Sequence, residues 1–411
     1  MNYIQRLGER AKDAREELVT APSGKKNDAL YEMAHIFRRC APKITEANEK
    51  DLALISARGV SDDVIERVRI DEKRIDELAD MFEKLCVLPD PVGEIVGGEV
   101  GEYGMRIRRE RAPVGVVGMI YEARAGIAAE AAALCIKSGN AVILRGGREA
   151  FNTDSFLVSL MRKAVATSGF PEDIIQLVED SDKGTVIDMM RANDCIDLLI
   201  PRGSRQLVNA VVRQASVPVL ETGDDGCHIY VDESADMNMA LDIIKSASDS
   251  PRGRVRTILV HRDCAEELLP KVEAEVDRKL RGCEMTAVIL GGAAPADEDT
   301  YMGARADSGV LAVRVVDGIG DAIRHIQQFG SGACECIITE RSFAADEFQH
   351  RVDAAAVFVN CSPAFNSGDG LGIGTDMGVS VQKLHTRGPI GLEDLTAVRW
   401  LINGNGEKPI Y

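Results

Sequence analysis

Residues 114–147 read VGVVGMIYEARAGIAAEAAALCIKSGNAVILRGG and contain two short apolar runs separated by an amphipathic stretch. The runs at 114–120 and 141–144 have the length of strands, and the residues between them have the composition of a helix. The same alternation continues through residue 220 and begins again near Asp236. Apolar runs separated by helices in this way are typical of βαβ units. They predict parallel sheets that are covered on both faces.

A helical segment precedes this alternation, and a single strand follows it. In residues 1–90 the apolar side chains recur at helical spacing until Pro89 and Pro91 interrupt the pattern. Near the other end, Val398, Trp400 and Ile402 alternate with polar residues, as in a strand. A lone terminal strand needs a sheet to pair with, in this chain or in another subunit. The sequence therefore predicts two α/β lobes, a helical lead-in and a C-terminal strand.

The composition indicates a folded globular protein. The chain has 411 residues, of which 45% are hydrophobic and 28% charged, as is ordinary for globular proteins. Its 49 Lys and Arg residues and 66 Asp and Glu residues give a net charge of −17, which disfavours nucleic acid as a partner. No apolar stretch approaches the about 20 residues of a membrane span, and the N-terminus shows no signal sequence. We expect a cytoplasmic protein with no membrane partner.

The ten cysteines show no C-x-x-C spacing, which predicts reduced thiols in a chain without a signal sequence. Cys334 and Cys336 alternate on one strand and could hold a metal together with Cys361 or a histidine. Core packing explains the same pattern, and no second pair has zinc-site spacing. We expect no metal site.

A glycine-rich turn follows the strand at 141–144. Gly146 and Gly147 would let the backbone approach a dinucleotide, and Arg148 could meet its phosphate or ribose. The alternative is a plain turn between a strand and a helix. Neither the G-x-G-x-x-G fingerprint nor a Walker A sequence occurs in the chain, so a dinucleotide would need a different binding mode.

Two histidines and an arginine series are further candidates. His228 and His385 could serve as acid and base groups, although a histidine beside a strand can equally be a hydrogen-bonded core residue. Arg252, Arg254 and Arg256 have strand spacing and could clamp an anion. A solvated surface face would give the same spacing.

Six stretches together resemble the γ-glutamyl phosphate reductase family of the aldehyde dehydrogenase superfamily. They are LPDPVGEI at Leu88, RRERAPVGVVGMIYEAR at Arg108, CIKSGNAVILRGG at Cys135, DLLIPRGS at Asp197, GCHIYVDESAD at Gly226 and QKLHTRGPIGLEDL at Gln382. The resemblance covers essentially the whole chain. It implies an α/β fold of the aldehyde dehydrogenase type with two doubly wound domains. These are a dinucleotide-binding-type domain with a helical N-terminus at 1–235, a catalytic-type domain at 236–381 and a C-terminal oligomerisation segment at 382–411.

The resemblance also implies a reaction. The family reduces γ-glutamyl phosphate with NADPH to glutamate-5-semialdehyde, a step of proline synthesis, through attack by a cysteine thiolate on the acyl phosphate. The resemblance also implies that part of the family's cofactor-binding residues is present here. These residues are Gly146, Gly147, Arg148, Pro201, Gly203 and Ser204. NADP(H) is therefore a possible cofactor, and a homo-oligomer is the expected assembly.

The residues that perform the reaction in the family are not present in this chain. The family has its nucleophile in a Pro-Ser-x-Cys-Asn loop, whereas this chain has a shortened loop without cysteine, Pro251, Arg252, Gly253 and Arg254. The family asparagine that helps to hold the oxyanion is replaced by Gly126. Loss of the nucleophile removes the covalent route, and loss of one oxyanion donor commonly costs about 10²- to 10³-fold in rate.

Further departures concern the same expected cleft. Ala364 and Gly370 stand where the family usually has arginine and glutamate. Because the acid missing at Gly370 would hold the nicotinamide ribose, the affinity for NADP(H) is expected to be weakened or lost. We expect a non-catalytic or repurposed paralogue that binds a dinucleotide or an acidic metabolite, or that pairs with an active reductase or glutamate kinase. One alternative is an active reductase of proline synthesis, and Cys361 and Cys334 are candidates to replace the nucleophile. Another is altered chemistry on an anionic substrate at Asp224, Asp225, Arg252, Arg254 and Arg256.

Overall fold

The computed structural model describes residues 2–122, 124–180, 182–223, 226–250, 254–303 and 309–409, without the side chains of Asp63 and Lys183. Chain contacts divide it into two compact units. Unit 1 contains 1–222, 373–377 and 390–411, and unit 2 contains 223–372 and 378–389. None of the helices in the described ranges is long and apolar enough to cross a bilayer.

Unit 1 begins with the predicted helical lead-in and continues as α/β. Its helices are α1 (Tyr3–Val19), α2 (Ser23–Ala57), α3 (Asp62–Val68), α4 (Glu72–Val87), α5 (Ile127–Lys137), α6 (Phe151–Thr167), α7 (Lys183–Met190) and α8 (Arg205–Gln214). Its first six strands are β1 (Ile95–Val100), β2 (Arg106–Pro113), β3 (Val116–Tyr121), β4 (Ala141–Arg145), β5 (Ile175–Leu177) and β6 (Leu198–Arg202).

Unit 2 continues the alternation of strands and helices. Its elements are β7 (Cys227–Val231), α9 (Met237–Asp249), β8 (Val255–His261), α10 (Arg262–Glu275), β9 (Lys279–Gly282), α11 (Glu284–Ile289), β10 (Ala294–Pro295), α12 (Glu298–Gly303), β11 (Val310–Val316), α13 (Ile319–Phe329), β12 (Cys334–Ile338), α14 (Ser342–Arg351), β13 (Ala356–Val359), β14 (Val379–Ser380) and β15 (Gly388–Pro389). The C-terminal strand β16 (Thr396–Asn403) belongs to unit 1.

Each unit has a parallel sheet, which confirms the predicted fold class. In unit 1 the strand order is β5-β4-β3-β6, and in unit 2 it is β10-β9-β11-β8-β7-β12-β13. All the described pairings within these two sheets are parallel. In unit 1 the chain runs outward from β3 through β4 to β5 and then returns to the other side of β3. The carboxyl ends of β3 and β6 therefore flank a topological switch point, where open α/β sheets bind ligands.

Helix α5 covers this sheet because its side chains are apolar almost all round, and every one of its residues is buried. Helix α4 is amphipathic instead, with Ile75, Leu78 and Phe82 on its buried face, and the side chain of Asp71 caps its first turn. The two helices contribute to one large core cluster. This packing brings α4 against the start of α5, where the family resemblance places an oxyanion residue.

The C-terminal strand pairs within its own chain. β16 is antiparallel to β2 over eight residues and forms the edge of the three-stranded sheet β1-β2-β16. This pairing supplies the sheet that the sequence required for a lone strand, without a second subunit.

The compact units differ from the predicted domain boundaries. The sequence placed a boundary after residue 235, but β7 pairs with β8 and β12 and so belongs to unit 2. The segment predicted at 382–411 is also divided, because 382–389 belongs to unit 2 and 390–411 to unit 1. The spacing of apolar residues identifies strands but not the sheet that each strand joins. The functional assignment of the three segments stays a prediction.

Candidate functional site

The residues predicted to hold a cofactor meet at the carboxyl edge of the sheet in unit 1. Gly146, Gly147 and Arg148 follow β4, and Gly203 and Ser204 follow β6. Strand β3 lies between β4 and β6, so the two turns are about 10 Å apart at the usual spacing of strands. The structure therefore brings both turns to the switch point.

Packing explains why the turn after β4 begins with a glycine. A Cβ at Gly146 would lie 2.5 Å from Oδ2 of Asp154 and 3.0 Å from the ring of Tyr121. The Tyr121 hydroxyl donates to this carboxylate at 2.9 Å, and Asp154 Oδ1 has no hydrogen-bond partner among the described residues. Burial raises the pKa of Asp154 to about 7. Arg148 is exposed beside this turn. Sequence reasoning missed Asp154 because nothing local marks a helical aspartate as buried.

The first turn of helix α6, which follows this turn, donates hydrogen bonds to a side-chain carboxylate of the same chain. Oδ2 of Asp51 accepts hydrogen bonds from the Thr153 backbone N–H at 2.8 Å and hydroxyl at 2.7 Å. Oδ1 accepts two more from Asn152. Asp51 is only 1% exposed. The positive end of α6 is thus neutralised by a fixed internal anion.

In the turn after β6, Ser204 donates hydrogen bonds to another side-chain carboxylate of the chain, that of Glu122. Oε2 of Glu122 accepts from the Ser204 backbone N–H at 2.6 Å, and Oε1 accepts from the Ser204 hydroxyl at 2.8 Å. Ser204 Oγ in turn caps α8 by accepting from the Leu207 N–H. A Cβ at Gly203 would lie 2.7 Å from Glu122 Oε2, so the glycine makes room for this carboxylate. Pro201 is buried, and its carbonyl accepts from the Thr222 hydroxyl.

Gly126, which stands where the family has its oxyanion asparagine, leaves only tight space for a side chain. Its φ is +94°, in the left-handed region, and it begins α5 without a side-chain cap. A Cβ would lie 3.3 Å from both methyl groups of Leu78 and 3.6 Å from Nη2 of Arg74. Arg74 donates to Glu130 at 2.8 Å, and Glu130 Oε2 lies 3.7 Å from Nη1 of Arg202. An ion cluster therefore lies at the start of α5.

The two thiols considered as replacement nucleophiles differ in access. Cys334 is fully buried in β12, whereas Cys361 is half-buried after β13, where its carbonyl accepts from the Cys336 thiol at 3.4 Å. Burial raises the pKa values of the Cys227 and Cys336 thiols well above the ordinary value. Of the two candidates, Cys361 is the more accessible.

Sequence reasoning missed Cys283, which precedes α11. Burial acts to raise the pKa of its thiol. Hydrogen bonds from Thr286 and from the Val315 backbone N–H outweigh burial, so the pKa is below its ordinary value. Only its position at the start of a helix could have indicated this, and that position is not evident from residue spacing.

His228 lies in the core of unit 2. Its backbone N–H donates to Glu335 at 2.7 Å, and its Nδ1 lies 3.0 Å from the same carboxylate. The ring of His325 packs edge-on against it with a centroid distance of 5.3 Å. Burial lowers the pKa of His325 to about 3. His385, in contrast, is exposed with a left-handed φ of +70°.

The candidate site for altered chemistry is described only in part. Asp224, Asp225, Pro251, Arg252 and Gly253 lie outside the described residues. The other two candidates are described. Nε of Arg254 donates to the Ser250 carbonyl at 2.8 Å, and Arg256 is 8% exposed, with its guanidinium against Gly226. Whether these groups form one site stays a prediction.

The loop after β13 differs from the family pattern in a way that geometry explains. A Cβ at Gly370 would collide with the Phe365 carbonyl, and the Gly370 N–H donates to the Ser367 hydroxyl at 3.0 Å. Ala364 lies in a short 3-10 turn capped by Ser362. A glutamate at position 370 would therefore require a different loop conformation.

One group of metal-ligating side chains was not predicted. Atoms of Glu233, His261 and Asp263 lie within 4.8 Å of one another at the carboxyl edge of unit 2. The Arg341 guanidinium contacts Glu233, and the Asp263 backbone N–H donates to Nδ1 of His261. Glu233 and His261 therefore already have hydrogen-bond partners within the chain.

Comparison with known proteins agrees with the resemblance. The sequence pattern of the aldehyde dehydrogenase family matches residues 3–309. A γ-glutamyl phosphate reductase of Clostridium perfringens strain SM101 is 42% identical over 407 residues, which is 97% of this chain and 98% of that protein. The corresponding protein of Moorella thermoacetica is 42% identical over 410 residues, 98% of each chain.

A crystal structure of γ-glutamyl phosphate reductase from Thermotoga maritima superimposes with a TM-score of 0.95 at 36% identity and covers 100% of both chains. An acetylating aldehyde dehydrogenase from Geobacillus thermoglucosidasius has a TM-score of 0.72 at 16% identity, covers 99% of this chain and 98% of that one, and shares the fold alone.

Proposed function

Because the chain belongs to the aldehyde dehydrogenase family and, within it, to the γ-glutamyl phosphate reductases, we propose that it is a paralogue of these reductases without their thiol-dependent catalysis. One observation carries the proposal: the connection between α9 and β8, Ser250 to Arg254, contains no cysteine. An acyl phosphate needs a nucleophile to form the thioester that a hydride can then reduce. Without that thiol, the protein binds its ligand but does not turn it over.

The start of α5 supports the same proposal. Gly126 offers no amide donor, and a Cβ there would lie only 3.3 Å from both methyl groups of Leu78. The second deficit is thus built into the packing of α4 against α5. A substitution at position 126 would therefore introduce an amide donor only at a cost in packing and backbone strain.

NADP(H) is the cofactor that the family implies, and the residues at the β6–α8 turn do not fit its phosphates in this conformation. Glu122 already occupies the Ser204 N–H and hydroxyl, and a phosphate in the same place would meet a like charge. The exposed Arg148 beside the other turn remains compatible with a phosphate or ribose. We propose dinucleotide binding that is weaker than in a catalytic relative because Gly370 stands where the family has an acidic residue, and we assign no hydride-transfer step.

The test is the reverse reaction of the family. Purified protein is incubated with glutamate-5-semialdehyde, phosphate and NADP⁺, and NADPH is followed by its absorbance. The γ-glutamyl phosphate reductase of Clostridium perfringens serves as the positive control. We expect no NADPH above the protein-free rate. Turnover would contradict the proposal.

An active reductase is the second candidate, and the 42% identity over 97% of the chain favours it. In that case Cys361, which is half-buried, is the better replacement nucleophile, since Cys334 is fully buried. Turnover that is abolished by Cys361→Ser and retained by Cys334→Ser would support this candidate. Growth of a proline auxotroph that lacks its own reductase provides an independent test, since rescue requires flux through the reaction.

We also propose that the protein acts in the cytoplasm as a homo-oligomer through the outer edge of β16. Val398, Trp400 and Ile402 on this strand are 47%, 60% and 57% exposed, so the strand presents an apolar face and unpaired backbone groups. Light scattering after size exclusion measures the assembly. The same measurement on mixtures with an active reductase or a glutamate kinase tests for a hetero-complex.

A further inference from the structure

Four cysteines lie together on one side of the sheet in unit 2. Cys227 in β7 and Cys334 and Cys336 in β12 are fully buried, whereas Cys361, which follows β13, is half-buried. All four pack in the same core cluster. This thiol cluster therefore extends from the core of unit 2 to the solvent at Cys361.

A residue with a left-handed backbone places Cys361 beside β12. Asn360 has a φ of +52°, which is uncommon for a residue other than glycine. Its side chain accepts from the Thr339 N–H at 2.9 Å and donates to the Thr339 carbonyl at 2.8 Å. Its own N–H donates to the Ile337 carbonyl at 3.0 Å. These hydrogen bonds fix the chain to the end of β12 immediately before Cys361, and they hold a conformation that is strained for asparagine.

The turn at Asn360 brings Cys361 into contact with Cys336. The Cys336 thiol donates to the Cys361 carbonyl at 3.4 Å. The C=O and Cα–C bonds add at most about 2.8 Å, so the Cys336 sulfur lies within about 6 Å of the Cys361 Cα. Burial raises the pKa of the Cys336 thiol well above its ordinary value, and among the neighbouring charges Cys361 raises it most, ahead of Cys334. Both observations indicate Cys361 as the partner thiol of Cys336.

We propose that Cys361 is an oxidation site whose sulfenic acid is captured by Cys336, which gives a reversible disulfide within unit 2. The inference goes beyond the proposed function and does not depend on it. The oxidant is a hydroperoxide.

The reaction has two steps. In the first, the Cys361 thiolate attacks one peroxide oxygen, the O–O bond breaks, and the leaving oxygen takes up the proton that the thiol released. In the second, the Cys336 sulfur attacks the sulfenic acid sulfur, the S–O bond breaks, and water leaves with the Cys336 proton. The two sulfurs together lose two electrons, which the peroxide gains.

The surroundings of the two thiols set the order of these steps. Cys361 meets the oxidant first because it is half-buried, whereas Cys336 is fully buried. The raised pKa of Cys336 keeps its thiol protonated at neutral pH and slows its attack. The fixed turn at Asn360 compensates by holding the two residues together. The disulfide attaches the loop that carries Gly370 to β12, since this loop begins at Cys361.

The experiment maps the oxidised thiols by mass spectrometry. The purified full-length protein is treated with hydrogen peroxide, the remaining thiols are alkylated, and the chain is cleaved with trypsin. Cleavage after lysine and arginine places Cys361 in the peptide 352–383, and Cys336 in the peptide 325–341 together with Cys334. A disulfide joins these two peptides, and dithiothreitol separates them again.

Wild type is compared with three variants, Cys336→Ala, Cys334→Ala and Cys40→Ala. Cys334→Ala decides which of the two cysteines in the shared peptide reacts. Cys40→Ala is the matched control, because Cys40 is half-buried like Cys361 but lies in α2 of unit 1. Dimedone added during a second oxidation labels any sulfenic acid that persists.

We expect the joined peptides in wild type, Cys334→Ala and Cys40→Ala. Cys336→Ala should yield at least about tenfold less of them and should carry the dimedone label at Cys361. Absence of the joined peptides in wild type, or their persistence in Cys336→Ala, would overturn the inference. The wild-type map decides the question whatever the stability of the variants. Because it measures no turnover, its failure leaves the proposed function unaffected.

Discussion

Replacing Gly126 by asparagine would restore the amide of the family at that position, and the structure predicts that it destabilises unit 1 instead. The backbone φ of +94° costs an L-residue about 1–2 kcal/mol, and asparagine lies at the lower end of that range. The new Cβ would lie 3.3 Å from both methyl groups of Leu78, which is 1% exposed and packed in the core. Overpacking of this kind costs about 1–3 kcal/mol. We expect a total loss of about 2–4 kcal/mol.

The matched control is Gly104→Asn. Gly104 has a similar φ of +86°, but nothing lies within 4 Å of its Cβ position, so only the backbone cost applies. Both variants and wild type are unfolded in urea and followed by circular dichroism, with the slope of each transition compared because a chain of two units need not unfold in two states. The difference between the two variants isolates the contact with Leu78. Equal midpoints for Gly126→Asn and Gly104→Asn would refute the packing explanation.

Three further predictions follow from other contacts. Burial raises the folded pKa of Asp154 from 3.8 to about 7, so its stabilising effect is complete below about pH 3.8 and is lost as the pH rises through 7. Wild type should thus lose more stability than Asp154→Asn between pH 5 and 8, by up to about 1.4 kcal/mol per pH unit, and parallel urea midpoints would contradict this. Gly203→Ala should expel the Glu122 carboxylate from Ser204 and lower the free energy of unfolding by about 0.5–1.5 kcal/mol, whereas the same substitution in a Glu122→Gln background should cost less. Trp400→Glu on β16 should shift light-scattering mass toward the monomer with little change in thermal stability, because the side chain is 60% exposed, and an unchanged assembly would exclude this face as the interface.

Much of the fold could be predicted from local patterns. Strands such as 141–144 and helices such as α5 are recognisable because their apolar spacing is a property of consecutive residues. The six family stretches determined the fold type for the same reason, since each is a continuous segment. The candidate cofactor turn at Gly146 was also found in this way, because the glycine directly follows an apolar strand, whereas the turn at Gly203 was found through the family resemblance.

Only the tertiary structure shows the contacts between residues that are far apart in the chain. The contact of Glu122 with Ser204 spans 82 residues, and that of His228 with Glu335 spans 107. Likewise, only the packing of α4 against α5 shows that Leu78 fills the space beside Gly126. Strand spacing could not assign β7 to a sheet, because pairing is a choice among distant strands. The sequence by itself therefore determined the elements and the family, and the folded chain decided which charges and side chains occupy the site, since those contacts form only when the sheets close.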